Sequence, residues 1–121
     1  MSRKYPITKS FRFALSGLKS AFTKEPNFRI HVITAILALG AAYFLGLNSI
    51  EWLILSITIF LVIIFELLNT MLEAMVNLVS PEINAEAKIA KDVSAAAVLV
   101  SAIFSVIVGI VLFAPKLLLL L

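Results

Sequence analysis

Three long apolar stretches constrain the fold of this chain more than any other feature of its sequence. They cover residues 30–50, 52–79 and 93–114. About 20 apolar residues in a helix cross the roughly 30 Å of hydrocarbon in a bilayer, so each stretch is long enough for one crossing. Hydrophobic residues make up 62% of the chain and charged residues only 14%, far from the composition of water-soluble domains. The sequence therefore predicts an all-α integral membrane protein whose 121 residues form one domain with three transmembrane helices.

A further helix is predicted before the first of these stretches. Residues 7–28 place Phe11, Leu15, Leu18 and Phe22 at helical spacing, with basic and hydroxyl side chains largely between them. An amphipathic helix with a basic polar face suits the membrane surface, where anionic headgroups lie. A helix packed on a partner protein is the alternative interpretation.

The basic residues predict the orientation of the chain in the membrane. Seven of the ten precede the first apolar stretch: Arg3, Lys4, Lys9, Arg12, Lys19, Lys24 and Arg29. Because basic residues concentrate on the cytoplasmic side, we expect a cytoplasmic N-terminus, an inner loop over residues 80–92 and an outer C-terminus. A cleaved signal peptide is the competing interpretation, but the apolar stretch starts late and is too long for one. The chain has no cysteine, which excludes disulfides, thiolate catalysis and sulfur-ligated metals.

Polar residues interrupt the second apolar stretch on one side only. Glu66, Asn69, Thr70, Glu73 and Asn77 fall within an arc of about 100° when each residue advances the helix by about 100°. An ionised side chain in the hydrocarbon costs several kcal/mol, so this polar face must meet protein or water.

The depth of this face suggests a reaction at the membrane boundary. With the helix entering the bilayer near Trp52, Glu66 lies about 21 Å along it and Glu73 about 31 Å. Glu25, at the end of the surface helix, and Lys91, at the start of the third span, reach the same level. Carboxylates so placed can hold a hard divalent cation, and a lysine can neutralise phosphate.

The more deeply buried Glu66 is suited to act as a general base. Together these groups indicate phosphoryl transfer, which requires positioning and charge stabilisation more than covalent chemistry.

Other interpretations of the same residues remain open. A proton- or ion-coupled transport subunit also buries carboxylates, and a polar stripe can simply lock helices together by hydrogen bonds. The sequence has neither a P-loop nor a GxGxxG motif, so a kinase would use neither of these phosphate-binding loops. His31, the single histidine, is expected to pack at the membrane interface rather than to bind metal.

The third span carries small residues at every fourth position: Ala97, Ser101, Ser105 and Gly109. Such a stripe permits close approach of helices in lipid, so self-association is plausible.

Four segments of the chain carry a resemblance to a known family. They are residues 25–31, residues 66–73 with the pattern Glu-Leu-Leu-Asn-Thr followed by Glu73, residues 80–82, and residues 87–93 with the pattern Ala-Lys-Ile-Ala-Lys-Asp-Val. In these motifs the sequence resembles the prokaryotic diacylglycerol kinases, small trimeric membrane lipid kinases that include the undecaprenol kinases. The resemblance extends from about Phe13 to Lys116.

The resemblance implies a function and a site. It implies an ATP-dependent kinase in the bacterial inner membrane that phosphorylates a lipid hydroxyl, with undecaprenol preferred and diacylglycerol as the alternative. Glu66 would be the general base, and Glu25 and Glu73 the Mg²⁺ ligands. The implied nucleotide- and cofactor-binding residues are Phe13, Glu25, Asn69, Glu73, Asn77, Glu82, Asn84, Lys91 and Asp92. The implied assembly is a homotrimer whose sites use neighbouring subunits, and nucleic acid is not an expected partner.

Two positions depart from the family pattern. Asn77 stands where the family usually has aspartate, which removes one negative charge from the polar face. Residues 84–86, Asn-Ala-Glu, replace the usual His-Pro-Leu type of sequence in the implied nucleotide-binding loop.

Overall fold

The computed structural model describes residues 5–121, and these residues form four helices. They are α1 (Ile7–Lys24), α2 (Pro26–Leu45), α3 (Ser49–Val79) and α4 (Ala85–Leu118). The last three are long and apolar enough to cross a membrane, which confirms the predicted all-helical fold with three spans. Arg3 and Lys4, two of the residues that predict the orientation, lie outside the described part of the chain.

A single extended residue, Glu25, separates α1 from α2. Pro26 is the cause, because proline disfavours helical geometry in the residue before it and is itself well suited to the first turn of a helix. The Arg29 guanidinium of α2 reaches back and donates hydrogen bonds to the carbonyl oxygens of Phe22 and Thr23, at 2.9 and 3.0 Å. These bonds satisfy carbonyls at the end of α1 and fix the angle between the two helices at Glu25.

A tight turn joins α2 to α3. Gly46 adopts a left-handed conformation with φ of 71°, which glycine reaches without a steric penalty, and so ends α2. Asn48 and Glu51 then form a reciprocal cap: each side chain bonds the backbone N–H of the other residue, at 2.9 and 3.1 Å. The sequence Gly46-Leu47-Asn48-Ser49 indicates a turn at this place, although the predicted apolar stretch extends past it to Ile50.

Helices α3 and α4 form an antiparallel pair, and three contacts between their side chains mark its length. Lys116 Nζ lies 3.2 Å from Glu51 Oε1 at one end of the pair. Ser94 Oγ donates a hydrogen bond to Asn69 at 2.8 Å further along, and Lys91 Nζ donates one to Asn77 at 2.6 Å near the other end. The polar face of α3 is therefore at the end of the pair that lies opposite the Glu51–Lys116 contact.

The observed helix ends differ from the predicted ranges, each for a local reason. α1 ends at Lys24 rather than residue 28 because of Pro26, and α2 ends at Leu45 rather than Ile50 because Gly46 follows it. α4 begins at Ala85 rather than Val93, since Asn84 caps it, and it continues through Pro115 to Leu118. The expected inner loop over residues 80–92 thus shrinks to residues 80–84, and Lys91 and Asp92 lie on α4.

Few side chains are buried within the single chain. A small cluster near the turn between α2 and α3 holds Ala42, Leu47 and Leu55 against Val108 and Leu112 of α4. Most other large apolar side chains of the three long helices are exposed, as expected of helices that face lipid. Of the small-residue stripe on α4, Ser101 is buried inside the chain, so this stripe serves at least partly for packing within one subunit.

Candidate functional site

Glu66 is the most deeply buried ionisable group of the described chain. Its side chain is 3% exposed, although other side chains of the same helix, such as Ile64 and Leu68, are exposed. His31 of α2 approaches it, with Nε2 at 3.0 Å from Glu66 Oε1. As the side chains stand, the two atoms form a close contact without the direction of a hydrogen bond, and Oε1 has no other polar partner within residues 5–121. A buried carboxylate with so few partners lacks the hydrogen bonds that would stabilise its negative charge.

Two further polar residues of α3 have partners of their own. Asn69 Oδ1 accepts the hydrogen bond from Ser94 of α4 described above, so this amide locks the two helices together. Thr70 Oγ1 donates to the carbonyl oxygen of Glu66 at 3.1 Å, within the same helix. The polar face of α3 is therefore divided between structural contacts and groups that remain available.

A cavity of about 750 Å³ lies between α1 and α3, and we call it the carboxylate cavity. Glu25 and Glu73 both line it, together with Asn77 and with small residues of α1 such as Gly17 and Ala21. Glu25 lines this cavity because Pro26 holds it outside both helices, and Glu73 because it lies on the polar face of α3. The structure thus brings the two predicted metal ligands to one cavity.

A second cavity, of about 320 Å³, adjoins the loop between α3 and α4, and we call it the loop cavity. Its polar lining includes Asn77, Glu82, Lys91 and Asp92. Asn77 lines both cavities, so the two are neighbours along α3. The predicted nucleotide-binding residues of α4 and of the loop therefore meet next to the predicted metal ligands.

The two lysines of the loop cavity differ in their partners. Lys88 Nζ is paired with the Asp92 carboxylate at 2.5 Å, one turn along α4. Lys91 Nζ instead bonds the neutral amide of Asn77. An amide orients an ammonium group without cancelling its charge, so Lys91 keeps a positive charge that an anionic ligand can use.

Four predicted site residues line neither cavity: Glu66 and Asn69 of α3, described above, and Phe13 and Asn84, which lie outside α3. Asn84 accepts a hydrogen bond from the Ala87 N–H at 2.8 Å and donates one to Ser80 Oγ at 2.6 Å, so its side chain is occupied in capping α4. Phe13 is 54% exposed on α1, where its ring meets Tyr5 edge to face at 5.3 Å. The single chain shows no contact that joins either residue to the carboxylates.

The donors in the carboxylate cavity fit a hard cation that keeps much of its water. Glu25 and Glu73 supply carboxylate oxygens, a ligand type that Mg²⁺ prefers. Within residues 5–121 no three carboxylate or histidine side chains come together as a complete metal site. A few protein ligands completed by phosphate and water are the usual arrangement for Mg²⁺ at sites of phosphoryl transfer.

The membrane boundary follows from the length of the helices. α3 has 31 residues and is about 46 Å long, well beyond the roughly 30 Å of hydrocarbon. With the Glu51–Lys116 contact at one boundary, the other falls near Glu73. Glu66 then lies about 10 Å inside the hydrocarbon, and both cavities open at or beyond its edge. With this placement, Glu66 can contact an amphipathic molecule in the bilayer while the cavities bind a soluble molecule at its surface.

Sequence analysis did not foresee the contacts of His31 and Ser94. Each lies on a different helix from its partner, and helical periodicity describes one helix at a time. The position of His31 at the start of an apolar helix was the available signal, but it indicated only the membrane interface.

Comparison with known proteins supports this picture. The sequence model of the family described as prokaryotic diacylglycerol kinase matches residues 12–113. The chain is 48% identical over 110 residues to a diacylglycerol kinase of Synechocystis, a match that covers 90% of this chain and 63% of that protein. It therefore spans somewhat less than two thirds of that relative's length.

Two other relatives are matched over nearly their whole length. An undecaprenol kinase of Bacillus subtilis is 38% identical over 109 residues, which cover 90% of this chain and 89% of that protein. A diacylglycerol kinase of Escherichia coli is 33% identical over 106 residues, with 88% and 87% covered. Since the family model also matches most of the sequence, the chain belongs to the prokaryotic diacylglycerol kinase family of lipid kinases.

Proposed function

We propose that this protein is a lipid kinase that transfers the γ-phosphate of ATP to the hydroxyl group of a membrane lipid, at the cytoplasmic face of the bacterial inner membrane. The observation that carries the proposal is the position of Glu66. Its carboxylate is buried, and about two turns further along α3 Glu73 lines a cavity together with a third carboxylate, that of Glu25. Membership of a lipid kinase family makes phosphoryl transfer the reaction to test first.

In the proposed reaction Glu66 acts as the general base. The lipid hydroxyl oxygen bonds to the γ-phosphorus while its proton passes to the Glu66 carboxylate, and the bond from phosphorus to the leaving oxygen of ADP breaks. General base catalysis of this kind contributes about 10²- to 10⁴-fold to a rate. Glu66 is buried among apolar helices on the lipid side of the carboxylate cavity, so a lipid hydroxyl is a more suitable partner for it than a group of the water-soluble nucleotide.

The other groups of the site bind and orient the nucleotide. Glu25 and Glu73 would hold Mg²⁺, which when bound neutralises charge on the phosphates. Lys91 would contact the phosphates from the loop cavity, with Asn77 holding its ammonium group in place. Asp92 and Glu82 would line the remainder of the nucleotide site, while Asn84 would support it by capping α4.

The lipid substrate is proposed to be undecaprenol, with diacylglycerol as the alternative. The relative from Bacillus subtilis, named undecaprenol kinase, is matched over 89% of its length. The diacylglycerol alternative has its own support, because the Synechocystis relative of that name is 48% identical. The proposed assembly is a homotrimer, with α1 lying on the membrane surface and the N-terminus in the cytoplasm.

A direct comparison of the two lipids tests the proposal. The purified full chain in vesicles receives labelled ATP with Mg²⁺ and either undecaprenol or diacylglycerol, and the extracted lipid is assayed for label. We expect labelled lipid that requires Mg²⁺, and a higher kcat/KM for undecaprenol. A higher value for diacylglycerol would reverse the substrate assignment, and no label in either lipid would contradict the proposed kinase activity.

Ion-coupled transport is tested in the same vesicles without ATP. We expect no proton or cation flux above that of protein-free vesicles. A flux that disappears in Glu66→Gln would favour transport over lipid phosphorylation.

A further inference from the structure

The contact between His31 and Glu66 joins the beginning of α2 to the middle of α3. It is the one approach of a nitrogen-bearing side chain to the Glu66 carboxylate in residues 5–121, and the two atoms are 3.0 Å apart. His31 is 23% exposed whereas Glu66 is 3% exposed, so the imidazole lies between the buried carboxylate and more open space.

The other groups around Glu66 make this contact important. The charges that act on Glu66 besides His31 are those of Glu25 and Glu73, which are both negative. Neither carboxylate can donate a hydrogen bond when ionised, and both repel a negative charge on Glu66. A buried carboxylate without a donor is strongly disfavoured. Within the described chain, His31 is therefore the group that can orient the Glu66 carboxylate by a hydrogen bond and also stabilise its negative charge.

We propose that His31 is a positioning residue for the reaction, holding Glu66 Oε1 through Nε2–H so that Oε2 faces the lipid hydroxyl. This inference rests on the proposed function of Glu66 as general base. Catalytic bases are commonly oriented by a third group, and such bonds are often long or poorly aligned before substrate binds. The present contact, close but not well directed, fits that description. Rotation of the imidazole would direct its N–H at Oε1.

Side-chain substitutions can separate positioning from simple helix packing. His31→Leu keeps a side chain of moderate size but removes the donor, whereas His31→Gln keeps an N–H donor on an uncharged side chain. Thr34→Val is the matched control, because Thr34 lies one turn further along α2 and lines the same cavity of about 250 Å³ as His31. Thr34 has no bond to Glu66 in the structure.

The kinetic test uses the full chain in vesicles with the preferred lipid and Mg²⁺-ATP. We expect His31→Leu to lower kcat about 10- to 100-fold, as is usual when the partner orienting a reactive group is removed, with the KM for ATP changed less than about threefold. His31→Gln should recover most of kcat, and Thr34→Val should equal the wild type. In a Glu66→Gln background, His31→Leu should cause no further loss, because it acts through Glu66.

A spectroscopic test does not depend on activity. His31 is the single histidine of the sequence, so the ring ¹⁵N signals of the labelled protein belong to it alone. We expect Glu66→Gln to shift these signals, whereas Glu51→Gln, at the far end of α3, should leave them in place.

Several results would overturn the inference while leaving the proposed function intact. One is an active wild type with an equally active His31→Leu. Another is a loss in His31→Gln as large as in His31→Leu, together with a lowered unfolding temperature in both, which indicates packing alone. Unchanged ¹⁵N signals in Glu66→Gln would also overturn it. A wild type that phosphorylates neither lipid contradicts the proposed function itself.

Discussion

At the scale of single residues, three polar side chains of α3 each contact a different residue of a neighbouring helix. Glu66 faces His31 of α2, Asn69 accepts a bond from Ser94, and Asn77 accepts one from Lys91. Asn77 is a position at which the resemblance implies an aspartate. Its amide oxygen accepts the hydrogen bond from Lys91, without the negative charge that an aspartate would bring.

This contact predicts the behaviour of two variants of Asn77. In Asn77→Leu the Lys91 ammonium loses its acceptor, and a hydrogen bond to a charged group contributes about 1.5 to 3 kcal/mol. We therefore expect the KM for Mg²⁺-ATP to rise about tenfold or more, measured by the rate of lipid phosphorylation. Asn77→Gln, which keeps a neutral amide oxygen as the acceptor, should stay within about threefold of the wild type. Equal effects of the two substitutions would show that Lys91 does not depend on this bond.

At the scale of helices, the start of α4 determines where the residues of the loop cavity lie. Asn84 bonds the Ala87 N–H and Ser80 Oγ, which begins α4 eight residues before Val93. Lys91 and Asp92 are consequently held on a rigid helix rather than on a flexible loop. A cap at this position would therefore support the proposed nucleotide site from outside it.

The cap predicts a specific effect of Asn84→Ala. Loss of an N-cap side chain costs about 0.5 to 2 kcal/mol, so we expect a lower free energy of unfolding in detergent and faster amide exchange at Ala87 and Lys88. Asn84→Asp, another good cap, should preserve both. Unchanged exchange in Asn84→Ala, together with a raised KM for ATP, would instead assign Asn84 to direct nucleotide contact.

The helices show which parts of the fold could be predicted from sequence. Apolar length and periodicity were sufficient to predict three spans and the polar face of α3, because both follow from a regular helix. The ends of α1, α2 and α4 depended on local events at Pro26, Gly46 and Asn84, which an apolar pattern does not record. The partners of Glu66 and Asn77 depended on the packing of helices, and this is fixed by contacts between distant residues.

At the scale of the whole molecule, the proposed orientation gives the chain an outer and an inner end. The Glu51–Lys116 contact lies at one end of the α3–α4 pair, and the two cavities lie toward the other. The proposed reaction needs ATP, which is found in the cytoplasm. We therefore expect the cavities and the loop over residues 80–84 to share the cytoplasmic side.

Cysteine labelling tests this orientation, and the absence of native cysteine makes each introduced thiol unique. Ile83 in the loop and Leu121 at the C-terminus are both almost fully exposed, so they form a matched pair. In intact cells a membrane-impermeant maleimide should label Leu121→Cys but not Ile83→Cys, which should react only after permeabilisation. Labelling of Ile83→Cys in intact cells, with none of Leu121→Cys, would place the cavities on the wrong side for ATP.

The central claim is that Glu66 is the base in lipid phosphorylation, and the rate of phosphate transfer by Glu66→Gln tests it most directly. Glu51→Gln is the control, since it changes an acid of the same helix while keeping an oxygen that can accept the Asn48 N–H bond. With folding verified by circular dichroism, we expect Glu66→Gln to lower kcat by about 100-fold or more and Glu51→Gln to retain it. Transfer by folded Glu66→Gln at the wild-type rate would contradict the account.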